Sequence, residues 1–207
     1  MLKAVIFDVD GVIVDSREAN IALLQGMLEK AGYATPTREQ VLSHFHRPLV
    51  DSVKEFTGST DEKEIDRVMQ TAFLPELKQG KLFEFPDNLI SVLKELHKTY
   101  KLGIVTSRIQ LGMDHVFDAV DIQKYFEVVL TKDDYKHPKP HPEPLLMAID
   151  KLGVKAEEAV YIGDSESDMQ SAKAAGIHFI YYGKERKGVA SVDSFSSIPE
   201  ALASLLP

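Results

Sequence analysis

The chain has no cysteine and no tryptophan. Without cysteine there can be no disulfide, no thiolate nucleophile and no cysteine-rich zinc site. No stretch approaches the roughly 18 uninterrupted apolar residues of a membrane-spanning helix. The opening, MLKAVIF, is too short for the apolar segment of a secretory leader and runs directly into a pair of aspartates. The expectation is a cytoplasmic protein with no membrane partner. Basic residues are in the minority, 24 Lys and Arg against 32 Asp and Glu, for a net charge of −8. That balance argues against general nucleic-acid binding. It leaves room for a small anionic substrate, because a few basic residues and a metal can set the local field. Apolar residues are plentiful, 44% of 207, which is enough for a core in one domain or one domain with a small insertion.

Five short apolar runs read as strands buried on both faces: residues 3–7, 102–106, 127–130, 159–162 and 177–181. Helical spacing follows in 86–100, with Leu89, Val92, Leu93 and Leu96 on one stripe, and again in 142–152 and 165–175. Gly153 and Gly176 fall where helices stop. Alternating strands and helices predict an α/β fold, a Rossmann-like, mostly parallel sheet covered on both sides. The rhythm breaks once. Between residues 16 and 81 there is no convincing strand, and 16–31, 48–56 and 61–73 read as helices. One crossover needs one helix, so the surplus predicts a helical domain at 16–81 inserted into a core made of 1–15 and 82–207.

In an open α/β sheet, chemistry sits beyond the carboxyl ends of the strands. The residues there are DVDGV (8–12), TSR (106–108), the proline-dense turn KHPKPHPEP (136–144) and GDSESD (163–168). Taken singly, each has an ordinary reading. Asp10-Gly11 suits a turn, Asp164-Ser165 a helix cap, Lys139 a solvated loop, and Thr106 or Ser107 a helix start. Together they gather carboxylates that would repel one another unless a divalent cation intervened. Oxygen-only ligands suit Mg2+, which also binds substrate phosphate. Two aspartates two positions apart can divide labour, one attacking phosphorus and the other moving protons. Lys139, aimed by flanking prolines, can neutralise the phosphoryl oxygens. His137 and His141 flank it, but their sequence neighbours are prolines, so no zinc site is read there.

These four segments, in this order and spanning nearly the whole chain, resemble the haloacid dehalogenase superfamily. The helical insertion is similar to the cap of its phosphoglycolate phosphatase and β-phosphoglucomutase-like branch. The resemblance implies Asp8 as nucleophile and Mg2+ ligand. It implies Asp10 as general acid/base, binding the metal through its backbone carbonyl. Thr106, with Ser107, would hold the transferring phosphoryl, Lys139 would clamp its charge, Asp164 would complete the metal site, and Asp168 would support it. Arg108 is placed to reach a leaving group. The implied activity is hydrolysis of a small phosphorylated metabolite through an aspartyl phosphate. Dehalogenases of the superfamily lack the second aspartate, and Asp10 is present here.

Two alternatives stay open. A mutase of the β-phosphoglucomutase type shares the cap and the opening motif, and Val12 is common there, but GDSESD resembles the phosphatase form. A non-catalytic phosphate-binding protein would be expected to lose at least one of Asp8, Asp10, Lys139 or Asp164. Substrate choice is expected in the insertion, where SHFHRPLVDS (43–52) stands at the usual position of a G-x-P substrate loop. His46 replaces the usual glycine. Arg47 can bind a carboxylate or a second phosphate, and His46 is read as a pocket residue.

Overall fold

The computed structural model describes residues 1–45, 47–73 and 79–205. Six parallel strands form one sheet in the order β3-β2-β1-β4-β5-β6. The strands are β1 (Ala4–Phe7), β2 (Lys101–Val105), β3 (Val128–Leu130), β4 (Ala159–Gly163), β5 (His178–Tyr182) and β6 (Ser191–Val192). Register is continuous across the centre, with Ile6 opposite Gly103 on one side and Tyr161 on the other. Every residue of β1 and β4 is buried, as expected of central strands covered on both faces.

Side chains alternate between the two layers. Ala4 and Ile6 join a core with Leu145, Ala148, Leu152, Ala172 and Ala175. The last five come from α7 (Glu143–Leu152) and α8 (Glu166–Ala175). Phe7 points the other way, stacking on Phe195 at 5.9 Å and meeting Phe126 edge-on at 6.2 Å. Two further helices, α6 (Gln110–Ala119) and α9 (Ile198–Ser204), and the two-residue β6 are not singled out by apolar spacing. α9 is seven residues long, so its periodicity spans barely two turns. Helix α5 (Leu89–Leu96) is shorter than the spacing suggests, because Asn88 before it has a positive φ of 63°.

The chain divides into two compact units, residues 1–15 with 84–207, and 16–83. The larger contains the sheet. Its chain leaves at Asp15 and returns at Glu84, and these two residues exchange backbone hydrogen bonds of 2.7 and 3.1 Å. The smaller is helical, built from α1 (Arg17–Lys30), α2 (Arg38–Leu42), α3 (Leu49–Thr57) and α4 (Glu62–Gln70). Its core is made of Ile21, Leu24, Met27, Leu28, Val41, Val53, Ile65 and Val68. Thr37 starts α2 with a reciprocal capping box to Gln40. Among the described residues, no helix is long and apolar enough to cross a membrane.

Candidate active site

Because the strands are parallel, the residues that follow them share one edge of the sheet. Asp8 follows β1, Thr106 follows β2, Thr131 follows β3 and Asp164 follows β4. Asp8 is anchored by its own amide, which donates to Ile162 O on β4 at 2.9 Å. The chain then turns tightly. Val12, Ile13 and Val14 all donate to Val9 O, and Gly11 has φ +78°. A side chain at Gly11 would be doubly excluded. Its Cβ would lie 1.9 Å from Asp164 Oδ2, so the loop after β1 and the carboxylate after β4 close on each other only because residue 11 is glycine.

Lys139 lies at the centre. Its Nζ is 3.0 Å from Asp8 Oδ1 and 2.6 Å from Asp168 Oδ1, and it donates to Tyr161 Oη at 3.0 Å. The lysine side chain is 4% exposed and Asp168 is fully buried. Asp168 has little capacity left. Oδ1 also accepts from Tyr161 Oη, while Oδ2 accepts from Ser165 N and Ser165 Oγ. Ser165 in turn accepts from Asp168 N, forming the capping box that starts α8. A Cβ at residue 163 would fall 2.6 Å from Asp168 Cβ, which accounts for the glycine of GDSESD. The motif therefore aims Asp164 outward and pins Asp168 beneath it.

Burial sets the charges. Burial alone would lower Lys139, but Asp8 and Asp168 outweigh it and hold it above its ordinary value, so it stays a cation. Burial would raise Asp168, yet the Lys139 charge and the hydrogen bonds from Lys139, Ser165 and Tyr161 hold it down. Asp8 is pushed well up, by burial first and then by Asp168, Asp164 and Asp10, with Lys139 opposing. Asp164 is pushed up to about 7 by burial and by Asp168, again against Lys139.

Oxygens of Asp8, Asp164 and Asp168 lie within 4.8 Å of one another. With Asp168 committed to Lys139, Tyr161 and Ser165, Asp8 and Asp164 remain as the available carboxylates. An all-oxygen donor set under this mutual repulsion fits Mg2+. A pH effect follows. Between 3.8 and about 7 the folded chain holds a proton on Asp164 that the unfolded chain has lost, so this group's contribution to stability falls as pH rises. A bound cation would take the proton's place. The rise in Tm on adding Mg2+ is therefore expected to be larger at about pH 8 than at about pH 5.5. Thermal unfolding with and without Mg2+ at the two pH values checks this, and equal rises would count against a metal at Asp164.

The other residues at this edge are arranged as follows. Thr106 is fully buried, and its Oγ1 accepts from Arg108 N at 3.1 Å. Ser107 is exposed beside it. Arg108 is engaged with Asp10. Its guanidinium grips Asp10 bidentately, Nε to Oδ2 at 2.8 Å and Nη2 to Oδ1 at 2.6 Å, with only 9% of the side chain exposed. The fork geometry of guanidinium and carboxylate favours this pairing over a solvated arginine.

Two tyrosines have no place in the motif reading. Tyr161 Oη joins Lys139 and Asp168, and Tyr135 Oη donates to Thr106 O at 2.9 Å. A tyrosine in the otherwise aliphatic strand AVYIG is a signal in itself, since a buried phenol needs a partner. In the smaller unit, Arg47 Nη1 donates to Glu55 Oε2 at 2.8 Å, and His44 Nε2 meets the same oxygen at 3.0 Å. Both line a cavity of about 100 Å3 together with Arg17, Asn20, Leu24 and Phe45. His46 lies outside the described residues.

Known proteins resemble this chain over most of its length. The family model for haloacid dehalogenase-like hydrolases matches residues 5–182. Pyrophosphatase PpaX of Bacillus velezensis is 35% identical over 177 residues, covering 84% of this chain and 80% of its own. A phosphoglycolate phosphatase of Salmonella typhi is 29% identical, covering 100% and 92%. Among solved structures, a HAD-superfamily hydrolase of subfamily IA from Geobacter sulfurreducens superposes with a TM-score of 0.79 at 31% identity, covering 97% of this chain and 96% of that one. Structures assigned provisionally as β-phosphoglucomutases share the fold as well. The ordered strand-end residues and a family match over most of the chain lead to one conclusion: this protein belongs to the haloacid dehalogenase-like hydrolases.

Proposed function

We propose that the protein is a Mg2+-dependent phosphatase acting on a small phosphorylated metabolite through an aspartyl phosphate on Asp8. The observation that carries this reading is the buried Lys139 cation held between Asp8 and Asp168, with Asp164 beside them and Asp10 two residues on. Asp8 attacks phosphorus and the phosphorus–oxygen bond to the leaving group breaks. Asp10 gives that oxygen a proton and later takes one from the water that hydrolyses the acyl phosphate. Lys139 stabilises negative charge on the nucleophile and on the phosphoryl oxygens. Thr106 and Ser107 hold the phosphoryl group. Mg2+, held by Asp8, Asp164 and the Asp10 carbonyl, would supply charge neutralisation at the transferring group. Arg47 of the smaller unit is the proposed reader of a substrate anion.

The relatives' names supply pyrophosphate and phosphoglycolate for a first panel; hexose phosphates and nucleoside monophosphates extend it, with β-glucose 1-phosphate included for the mutase reading. Phosphate release is expected with Mg2+ and not with excess chelator. Conversion of β-glucose 1-phosphate to the 6-phosphate without release would replace the phosphatase by the mutase. Silence on the whole panel would favour the binding protein.

Arg108 gives a sharper check. Because its fork orients Asp10, Arg108→Ala is expected to lower kcat about 10²-fold, the scale of a misplaced catalytic group. KM should change far less, and Arg108→Lys should recover only part, lacking the fork. A large rise in KM at unchanged kcat would instead put Arg108 on the substrate.

A further inference from the structure

The proposed chemistry uses the turn KHPKPHPEP only through Lys139. The turn also carries a cluster of its own. One donor atom from each of His137, His141 and Glu143 lies within 4.8 Å of the others. The two imidazole rings are 4.7 Å apart, tilted by 35°. Sequence alone does not show this trio, because prolines separate the histidines from other ligand types. The fold supplies the third member, since Glu143, the first residue of α7, turns its carboxylate back over the turn.

That carboxylate is fixed in place. Oε1 accepts from Lys136 N at 3.0 Å, and Oε2 accepts from His137 N at 3.0 Å and faces His137 Nδ1 at 2.5 Å. The amide of Lys136, followed by the contacts with His137, holds Glu143 down at about 2, so it is an anion throughout the working range. The backbone beneath is braced too. His141 N donates to Pro138 O at 3.0 Å, Ser171 Oγ donates to His141 O at 2.9 Å, and Glu143 N donates to His141 Nδ1 at 3.1 Å. Both histidines are exposed, so an ion can reach them from solvent.

We propose that His137, His141 and Glu143 form a second cation site, selective for a transition metal of the zinc, nickel or copper type, and that its occupation restrains the turn bearing Lys139 and slows turnover. The donor chemistry separates this site from the aspartate cluster. Two imidazoles and a carboxylate suit borderline first-row metals, whereas Mg2+ seeks oxygen alone. Two histidines and one glutamate are also a ligand set of the size that leaves coordination positions open. Lys139 sits two residues from each histidine, so any shift of the turn reaches the ammonium between Asp8 and Asp168. The effect on turnover rests on the proposed phosphatase reading. The binding does not.

The test is Cu2+ added to the whole protein already saturated with Mg2+, read by electron paramagnetic resonance. The wild type is expected to bind one equivalent with hyperfine coupling to imidazole nitrogen, which the aspartate cluster cannot give. The double variant His137→Ala/His141→Ala is expected to lose that coupling while remaining folded and active with Mg2+, since Glu143 keeps the amides of residues 136 and 137. Zn2+ titrated into the turnover assay under excess Mg2+ should inhibit the wild type, with the half-inhibiting concentration raised about tenfold or more in the double variant. Oxygen-only coordination in the wild type, or nitrogen coupling that persists in the double variant, would overturn the site. Equal Zn2+ inhibition of the two proteins would overturn the regulatory half. The resonance measurement needs no substrate, so an inactive panel of phosphates and an absent metal site are separate outcomes.

Discussion

Asp8→Asn is expected to abolish turnover and leave the fold intact. The loss should reach about 10⁴-fold or more in kcat, the scale of removing a covalent nucleophile. The amide of asparagine keeps the shape of the side chain but cannot form an acyl phosphate. The fold should tolerate the change because the anchoring bond at residue 8 is made by its backbone, to Ile162 O. Lys139 also keeps its second partner, Asp168, at 2.6 Å. The stability of the metal-free protein should even rise at neutral pH. Asp8 is pushed above its ordinary value by burial and by the neighbouring carboxylates. The folded chain therefore holds its proton more tightly than the unfolded chain, and stability from this group falls as pH rises past the unfolded value. Asparagine removes that dependence. Phosphate release and thermal unfolding of the metal-free variant check both halves. A folded Asp8→Asn protein with normal Mg2+-dependent phosphatase activity would overturn the proposed function.

The strand ends were legible in the sequence because buried parallel strands write themselves as unbroken apolar runs, and each is followed at once by a polar residue. Ala4-Val5-Ile6-Phe7 then Asp8 is such a case, and Val160-Tyr161-Ile162-Gly163 then Asp164 is another. The placement of Thr106 and Asp164 at the same sheet edge as Asp8 follows once the strands are parallel. Long-range partnerships were less legible. Arg108 meets Asp10 across 98 positions of sequence, so nothing local distinguishes it from an arginine reaching outward. Tyr161 reads as one more core residue until its hydroxyl is seen between Lys139 and Asp168. Glu143 reads as an ordinary acidic residue in the first turn of a helix, where it complements the helix dipole, and only the folded turn brings it to His137 and His141. Local pattern marks the buried strands and where they end, while pairings between elements depend on the closed structure.

Lys139→Met is the second large effect, and it should damage stability and catalysis together. The lysine is nearly inaccessible, and its ammonium is the positive charge that Asp8 and Asp168 share. Methionine fills similar volume, so packing loss is small. What remains is two carboxylates left without their common partner in a buried site. Breaking a buried pair from one side costs about 3–5 kcal/mol. Turnover should fall as well, since among the described residues Lys139 is the side-chain cation paired with the nucleophile. Arg108, another cation of the strand-end motifs, is engaged with Asp10. The two losses can be separated. Adding Asp168→Asn removes one of the orphaned charges, so the double variant Lys139→Met/Asp168→Asn should be more stable than Lys139→Met alone, the sign of coupling expected between contacting charges. It should remain inactive, because the charge facing the phosphoryl group is still missing. Chemical denaturation of the wild type, the two single variants and the double variant gives the coupling, and phosphate release from the same four gives the activity. A double variant no more stable than Lys139→Met would show that Lys139 does not compensate Asp168. Recovery of activity along with stability would mean that Lys139 serves the fold and not the reaction.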